Sequence, residues 1–423
     1  MRRTLDKLPE SLDETYERVL REIKKPNRDH AIRLLRCLVV AARPLRVEEL
    51  AEVLAVDFDV GDGIPRLNTS WRWEDQEQAL LSSCSSLISI VHGDSNDHDP
   101  DNAQVVQFSH FSVKEFLTSP RLAAPIRDVS HYYVGLESAH TIMAQACLSV
   151  LLRPDVRVKY GRISNNSPLE KYAAEHWATH AQFENVSSYL REPMGCLFDV
   201  DRPYFASWLT LHDIDTQPPS GSPFFQIAVA KSPAGPIYYA ALCGFRDLVE
   251  HLIVKNPHGV KATGGYFLTP CVAALAGRHF ELAHLLHCDG SSVNSRSHYG
   301  ASPLHSVSAV GDLEMIRILL EYGADINAQN NGGSTPLHWA ANAEVARVLL
   351  EQSADPNVST CIGTTPLHNA VTRRSAPIVC LLLEHGAGVD VVDKEGKTAL
   401  QYARESGYDE IVTLLAHSAD VSS

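Results

Sequence analysis

The phrase Thr-Pro-Leu-His stands at Thr335–His338 and again at Thr365–His368, and Ser302-Pro303-Leu304-His305 is a near copy. Weaker versions at Thr269-Pro270 and Thr398-Ala399-Leu400-Gln401 extend the series on both sides. Taken at their second position, the five copies follow one another at 33, 33, 30 and 33 residues. A segment of that length is one supersecondary unit and cannot bury its own apolar face. Units that recur at such a period must stack on one another, so the second half of the chain is read as an array.

Each unit has a physical reading. Thr or Ser before Pro is an N-cap, whose hydroxyl satisfies free amides of the first turn. Pro follows at the first helical position, where a missing N–H costs nothing. The apolar and small residues after it (Leu304 and Val307; Leu337 and Ala340; Leu367 and Ala370) face the stack. A glycine such as Gly244, Gly311 or Gly407 then closes the first helix, and apolar runs such as Ile318-Leu319-Leu320 and Leu381-Leu382-Leu383 mark the second. This pattern resembles ankyrin repeats, specifically from Gly300 to Asp420 and more weakly upstream. Six units are expected, starting near 234, 267, 300, 333, 363 and 396. The 30-residue unit lacks the usual inter-helix loop and should be locally less regular. The last unit has Ala399 for Pro and Gln401 for His.

The ankyrin resemblance implies that partners bind at the tips between repeats and on the exposed face of the first helices. The candidate tip residues are Ser297, His298, Tyr299, Asn330, Asn331, Cys361, Ile362, Lys394 and Glu395. On the helices they are Ala309, Val310, Trp339, Thr372 and Arg373. Trp339 has an alternative role, packing on the shortened loop. Tyr299 and Ile362 are the better contacts, because an apolar side chain on an exposed tip has little structural reason to be there. His305, His338 and His368 recur like a metal ladder, but no thiolate or carboxylate accompanies them at ligand spacing. The resemblance gives these imidazoles hydrogen bonds within and between turns instead.

Upstream, apolar residues Leu12, Tyr16, Val19, Leu20 and Ile23 fall at helical spacing in a helix opening near Leu8. Helices are expected over His30–Ala42, Val47–Leu54 and Gln76–Ser86, with Arg43-Pro44-Leu45 read as a turn. The alternating run Leu87–Val91 and the segment Val105–His110 then form a hairpin, which is the order of a winged helix. Leu8-Pro-Glu-Ser-Leu, Tyr16-Glu, Pro44-Leu45, Glu49-Leu50 and Phe108-Ser-His-Phe-Ser-Val-Lys-Glu-Phe-Leu117 resemble the winged-helix module of fungal NACHT–ankyrin proteins, related to the one labelled GPI inositol-deacylase winged helix. Tyr172–Trp177 and Phe205–Leu209 resemble the linker that precedes the repeats in those proteins. The expected fold is therefore mainly α: a winged helix over 1–122, a helical linker over 123–230 and ankyrin repeats over 231–423. Pro223–Ile227 is expected to pack on the first repeat.

In those relatives the architecture implies a signalling NTPase of the STAND class with the repeats as sensor. No Gly-x-x-x-x-Gly-Lys-Ser/Thr occurs in this chain, so neither nucleotide hydrolysis nor deacylation is carried over. The helix Asp75–Leu87 has no Arg or Lys to face a DNA groove, and the turn His92–Asp101 is acidic. That turn also lacks the glycine and closing glutamate of a calcium loop. His176 and His180 sit in His-Trp-Ala-Thr-His, which is not a zinc-protease motif. The net charge of −14 argues against nucleic acid or anionic membrane, and no run reaches the length of a membrane span. Nine scattered cysteines with no Cys-x-x-Cys pair point to a reducing, intracellular and cytoplasmic setting. The sequence is read as a non-catalytic scaffold that binds a protein partner without cofactor or metal. The alternative is the C-terminal sensor piece of a NACHT-type NTPase whose ATPase module lies outside this chain.

Overall fold

The structure, a computed structural model, describes residues 12–60, 63–84, 86–92, 104–124, 128–153, 158–159, 162–163, 167–215, 234–289 and 291–422. The helix start at Leu8, the acidic turn after His92 and the segment Pro223–Ile227 lie outside these residues. The fold is mainly helical, and the chain divides into two compact units, Met1–Ile214 and Asp215–Ser423.

In the first unit, α1 (Leu12–Glu22) precedes α2 (Arg28–Val40), α3 (Val47–Leu54) and α4 (Gln76–Cys84). The turn expected at Arg43–Leu45 ends in a strand: β1 (Leu45–Arg46) pairs antiparallel with β5 (Gln104–Phe108), which also pairs with β4 (Ile88–His92). The three-stranded order β1-β5-β4 and the three helices α2–α4 make the winged helix. A small hairpin of β2 (Val56–Asp57) and β3 (Arg66–Leu67) lies between α3 and α4. Helix α2 buries Leu34, Leu35, Cys37 and Val39 and packs on α6 (Leu136–Leu151), reached through α5 (Phe111–Leu117). The residues after 123 thus pack into the same unit as the winged helix. Their core is aromatic: Trp177 and Trp208 meet edge to face at 5.3 Å, with Phe198 against both.

The second unit holds helix pairs at Pro236–Leu242 and Arg246–Lys255, Pro270–Ala276 and Phe280–Cys288, and Pro303–Val310 and Leu313–Glu321. Further pairs follow at Pro366–Thr372 and Ala376–Glu384, and at Ala399–Glu405 and Asp409–Ser422. The short unit has only a 3-10 turn, Pro336–Trp339, before Ala343–Glu351. With three residues fewer, its chain leaves the first helix early, and Ala341 N–H donates back to Ser308 C=O at 3.0 Å in the preceding repeat. Gly244, Gly311 and Gly407 take left-handed backbone at the inter-helix turn, and Arg278 and Arg374 take it where the glycine is missing. Leu304, Leu319, Leu337, Leu349, Leu367, Leu382 and Leu415 form the continuous core of the stack.

Candidate functional site: the finger row of the repeats

Between successive repeats the chain makes a tight finger closed by two backbone bonds. Ser297 N–H reaches Ala301 C=O at 2.9 Å and Gly300 N–H reaches Ser297 C=O at 2.8 Å. The same pair recurs at Asn330/Gly333, Thr360/Gly363 and Asp393/Gly396. The fingers are joined to one another in register. Asn331 N–H donates to Tyr299 C=O at 3.0 Å, Cys361 N–H to Gly332 C=O at 2.8 Å, and Lys394 N–H to Ile362 C=O at 3.0 Å. The ladder fixes which residues share a row: Tyr299, Gly332 and Ile362 occupy equivalent places, one finger apart.

Two sets of side chains hold this row. Nε2 of His305, His338 and His368 faces a carbonyl of the next finger (Ser334, Thr364 and Lys397, at 2.9, 3.3 and 3.2 Å), so that nitrogen carries the proton. Nδ1 then accepts from the N–H and hydroxyl of Ser302, Thr335 or Thr365, closing a capping box. Burial of the neutral ring pulls His305 and His338 down to about 4, and His368 is lowered for the same reason. These histidines are bolts, and the hydrogen-bonding role expected of them is what the geometry gives. Gln401 explains itself on the same terms: its side chain accepts Thr398 N–H at 2.7 Å, keeping the box without a second ring nitrogen to reach onward.

The sequence reading missed the second set. Asn294 donates to Gly323 C=O and accepts Asp325 N–H, and Asn357 does the same with Gly386 and Gly388, at 2.7–3.0 Å. Asn327 accepts Asp355 N–H at 2.9 Å. The signal was present: Asn294, Asn327 and Asn357 recur at the same 33 and 30 residues as the histidines.

The expected site residues separate into two groups. His298, Tyr299, Asn331, Cys361, Ile362, Lys394 and Glu395 are exposed on the fingers, with Tyr299 at 41% and Ile362 at 62%. Asn331 Nδ2 folds back onto His298 C=O and Cys361 Sγ onto Asn331 C=O, so these two lie along the ladder. Ser297 and Asn330 are half-buried and spend their side-chain oxygens closing their own turns. On the helices, Ala309 and Val310 pack on Tyr266, Trp339 meets the His305 ring edge to face at 5.3 Å, and Thr372 bonds back to His368 C=O. Arg373 is exposed, with one guanidinium nitrogen donating to Ala340 C=O at 3.0 Å.

The first unit carries a different polar arrangement. Tyr172 hydroxyl accepts Ala42 N–H at 3.0 Å and gives its proton to His180 Nε2 at 2.9 Å, so His180 donates from Nδ1 to His140 Nδ1 at 2.9 Å. Burial, then the neighbouring His140 and His176, lower His180 to about 3. Two buried carboxylates of α3 are clamped: Glu49 by both arms of Arg43 at 2.7 and 2.8 Å, and Glu52 by Arg72, with Ser167 hydroxyl also on Glu52. Among the described residues no group of three metal-ligating side chains converges, and no helix is long and apolar enough to cross a membrane.

These two architectures define the class of chain. Residues 270–360 and 342–423 match the family model of ankyrin repeats, and residues 16–126 match that of the GPI inositol-deacylase winged helix domain. The second half is thus an ankyrin-repeat array, and a winged helix of the inositol-deacylase type stands before it. Among relatives, azaphilone pigments biosynthesis cluster protein L of Monascus ruber is 27% identical over 293 residues, 66% of this chain. The match spans 59% of that protein's length. A putative ankyrin repeat protein of Escherichia coli, YahD, is 60% identical over 38 residues, 9% of this chain and 19% of its own. A solved ankyrin repeat domain from Acinetobacter baumannii is 31% identical, with a TM-score of 0.37 over 44% of this chain and 97% of that one.

Proposed function

We propose that this chain is a non-catalytic scaffold whose ankyrin repeats bind a protein partner along the finger row and the adjoining first-helix face. Ankyrin repeats imply protein partners. The observation that carries the reading to this face is the pair Tyr299 and Ile362, held outward by an in-register backbone ladder that leaves their side chains exposed. His298, Asn331, Cys361, Lys394 and Glu395 supply the polar surroundings, with Thr372 and Arg373 at the helix edge. Ser297, Asn330, Ala309, Val310 and Trp339 act behind that surface as its support. The winged helix is an intramolecular docking or partner-contact element, and no cofactor or metal takes part. Nucleic acid is disfavoured because α4 itself carries no Arg or Lys and Arg72, the cation nearest to it along the sequence, is committed to buried Glu52. All nine cysteines are free thiols, which supports a cytoplasmic location.

An affinity pull-down with the full chain, beside the Tyr299→Ala/Ile362→Ala double variant, tests this reading. A specific protein should be retained by the first and lost from the second at unchanged melting temperature. Retention by both places the surface elsewhere.

A second reading keeps the same surface but makes this chain the sensor part of a NACHT-type signalling NTPase. The winged helix matched ahead of the repeats favours it. An in-frame Walker A motif upstream of Met1 in the gene supports it, and the lack of one removes it.

A further inference from the structure

We infer that Asn331-Gly332 is a site of spontaneous deamidation that the folded finger holds shut, and that conversion there unpins this finger from its neighbours. Asparagine followed by glycine is the pair in which the reaction is easiest, because no side chain hinders the attacking nitrogen. Asn331-Gly332 is its single occurrence in the chain, and both residues are exposed at the finger tip, where water reaches them. In the reaction, Gly332 nitrogen gives its proton to solvent and bonds to Asn331 Cγ. The Cγ–Nδ2 bond breaks, and Nδ2 takes up a proton and leaves as ammonia. Water then opens the imide. Opening at Cγ leaves aspartate, and opening at the backbone carbon leaves isoaspartate, whose main chain runs through the former side chain.

The finger restrains both reacting groups. Gly332 N–H donates to Asn330 Oδ1 at 2.9 Å, and the same oxygen accepts Ser334 N–H at 2.9 Å, which fixes the turn. Asn331 Nδ2 donates to His298 C=O at 3.1 Å. A Cβ built on Gly300 would overlap Asn331 Oδ1, so the carboxamide is packed on the preceding finger. The backbone on either side is tied as well: Asn331 N–H to Tyr299 C=O at 3.0 Å, and Cys361 N–H to Gly332 C=O at 2.8 Å. For the nitrogen to reach Cγ, the bonds to Asn330 and His298 must both break. The reaction therefore waits on local opening of the finger.

Neither product can return to this arrangement. Ionised aspartate only accepts hydrogen bonds, so at this place it would face His298 C=O with no proton to offer. Isoaspartate puts one more backbone carbon between the N–H that meets Tyr299 and the C=O that meets Cys361. The two ladder bonds then cannot both keep their register. Because this finger has a neighbour on each side, the loss is felt in both directions along the row.

The test follows Asn331 by tryptic digestion and mass spectrometry, with fragmentation that separates aspartyl from isoaspartyl products. The full chain, the same chain in guanidinium chloride, and a synthetic peptide of residues 329–335 are held in one mildly alkaline buffer. The peptide and the unfolded chain should convert alike, and the folded chain roughly tenfold or more slowly. Asn330→Ala frees Gly332 N–H and should raise the folded rate roughly tenfold, with the melting temperature showing that the chain still folds. Asn330→Asp copies Asp393, whose Oδ1 accepts Glu395 N–H and Lys397 N–H in its own finger, and should leave the rate slow. In converted chain the amide of Cys361 should exchange its hydrogen faster than in fresh chain. A folded chain that converts as fast as the peptide overturns the inference, and so does an unfolded chain that does not convert at Asn331. A rate indifferent to Asn330→Ala in a folded variant means that this bond is not the restraint, and overturns it too. Conversion that leaves Cys361 as protected as before overturns the unpinning.

Discussion

The repeat array and the winged-helix unit solve the same problem, joining short elements into a core, by opposite means. The array uses one joint many times: an imidazole from each Pro-Leu-His turn, an asparagine on the following stem and a finger-to-finger backbone bond. The first unit uses each joint once. Tyr172, His180 and His140 form one chain of donors, Glu49 and Glu52 have one arginine each, and Trp177, Phe198 and Trp208 form one cluster. Damage to a repeated joint should therefore be graded and local. Damage to a single-use joint should be felt throughout its unit.

The largest effect expected from that contrast is at Trp208, which is fully buried and donates Nε1–H to Ala174 C=O at 3.0 Å. Trp208→Ala should cost about 3–5 kcal/mol. Hydrogen exchange should quicken across the whole of the first unit while protection over 300–400 stays as in the parent chain. If exchange quickens only around Trp208 itself, the first unit is as modular as the array, and the contrast fails.

What the sequence made legible follows the same division. Repetition let Thr-Pro-Leu-His speak five times, so the period, the capping histidines and even the odd 30-residue unit could be read without coordinates. In the first unit each element speaks once. Leu45–Arg46 is two residues long, too short for any periodicity, and becomes a strand only because β5 lies beside it. The hairpin of Val56–Asp57 and Arg66–Leu67 escaped notice for the same reason. Within the array, what could not be read was which way a side chain turns. Ala309 and Val310 hold the same apparent positions as surface residues, yet they pack on Tyr266, a neighbour set by the irregular second repeat. Asn327 looks like a turn residue until the next repeat presents the N–H of Asp355 to it.

A smaller effect concerns acid. Unfolded His titrates near 6.5, whereas buried His305 and His338 do so at about 4, so a falling pH protonates the unfolded chain first. The stability these rings contribute is complete above about pH 6.5 and is lost as pH falls towards about 4, on the order of 3 kcal/mol for each. Asp393, held low chiefly by the Tyr402 hydroxyl, loses its contribution only further down in the carboxylate range, which separates the two. His338→Gln copies Gln401: it keeps the capping box, gives up the bond to Thr364 C=O and should cost about 1 kcal/mol at pH 7. Between pH 6.5 and 4 the variant should lose less stability than the parent, by the share of one ring. An unchanged slope in urea melts over that interval would mean that the bolts are not what titrates.

The smallest difference is the most pointed, because it compares one joint with its own unfinished copy. Gly333 and Gly396 hold the same place in their fingers, at φ of 77° and 74°. Alanine at either one pays for left-handed backbone, about 1–2 kcal/mol. At Gly333 the new Cβ would also stand 2.9 Å from Cys361 N and 3.0 Å from Thr360 Cα, both backbone atoms of the next finger, whereas at Gly396 nothing lies within 4 Å. The backbone cost cancels between Gly333→Ala and Gly396→Ala, and what remains measures how rigidly one finger is seated on the next. A further loss of about 1 kcal/mol in the first variant gives the ladder a real stiffness, the kind that keeps Tyr299 and Ile362 in register for a partner. Equal melting temperatures would mean that the fingers slide apart at little cost, and that their order comes from the histidine and asparagine side chains.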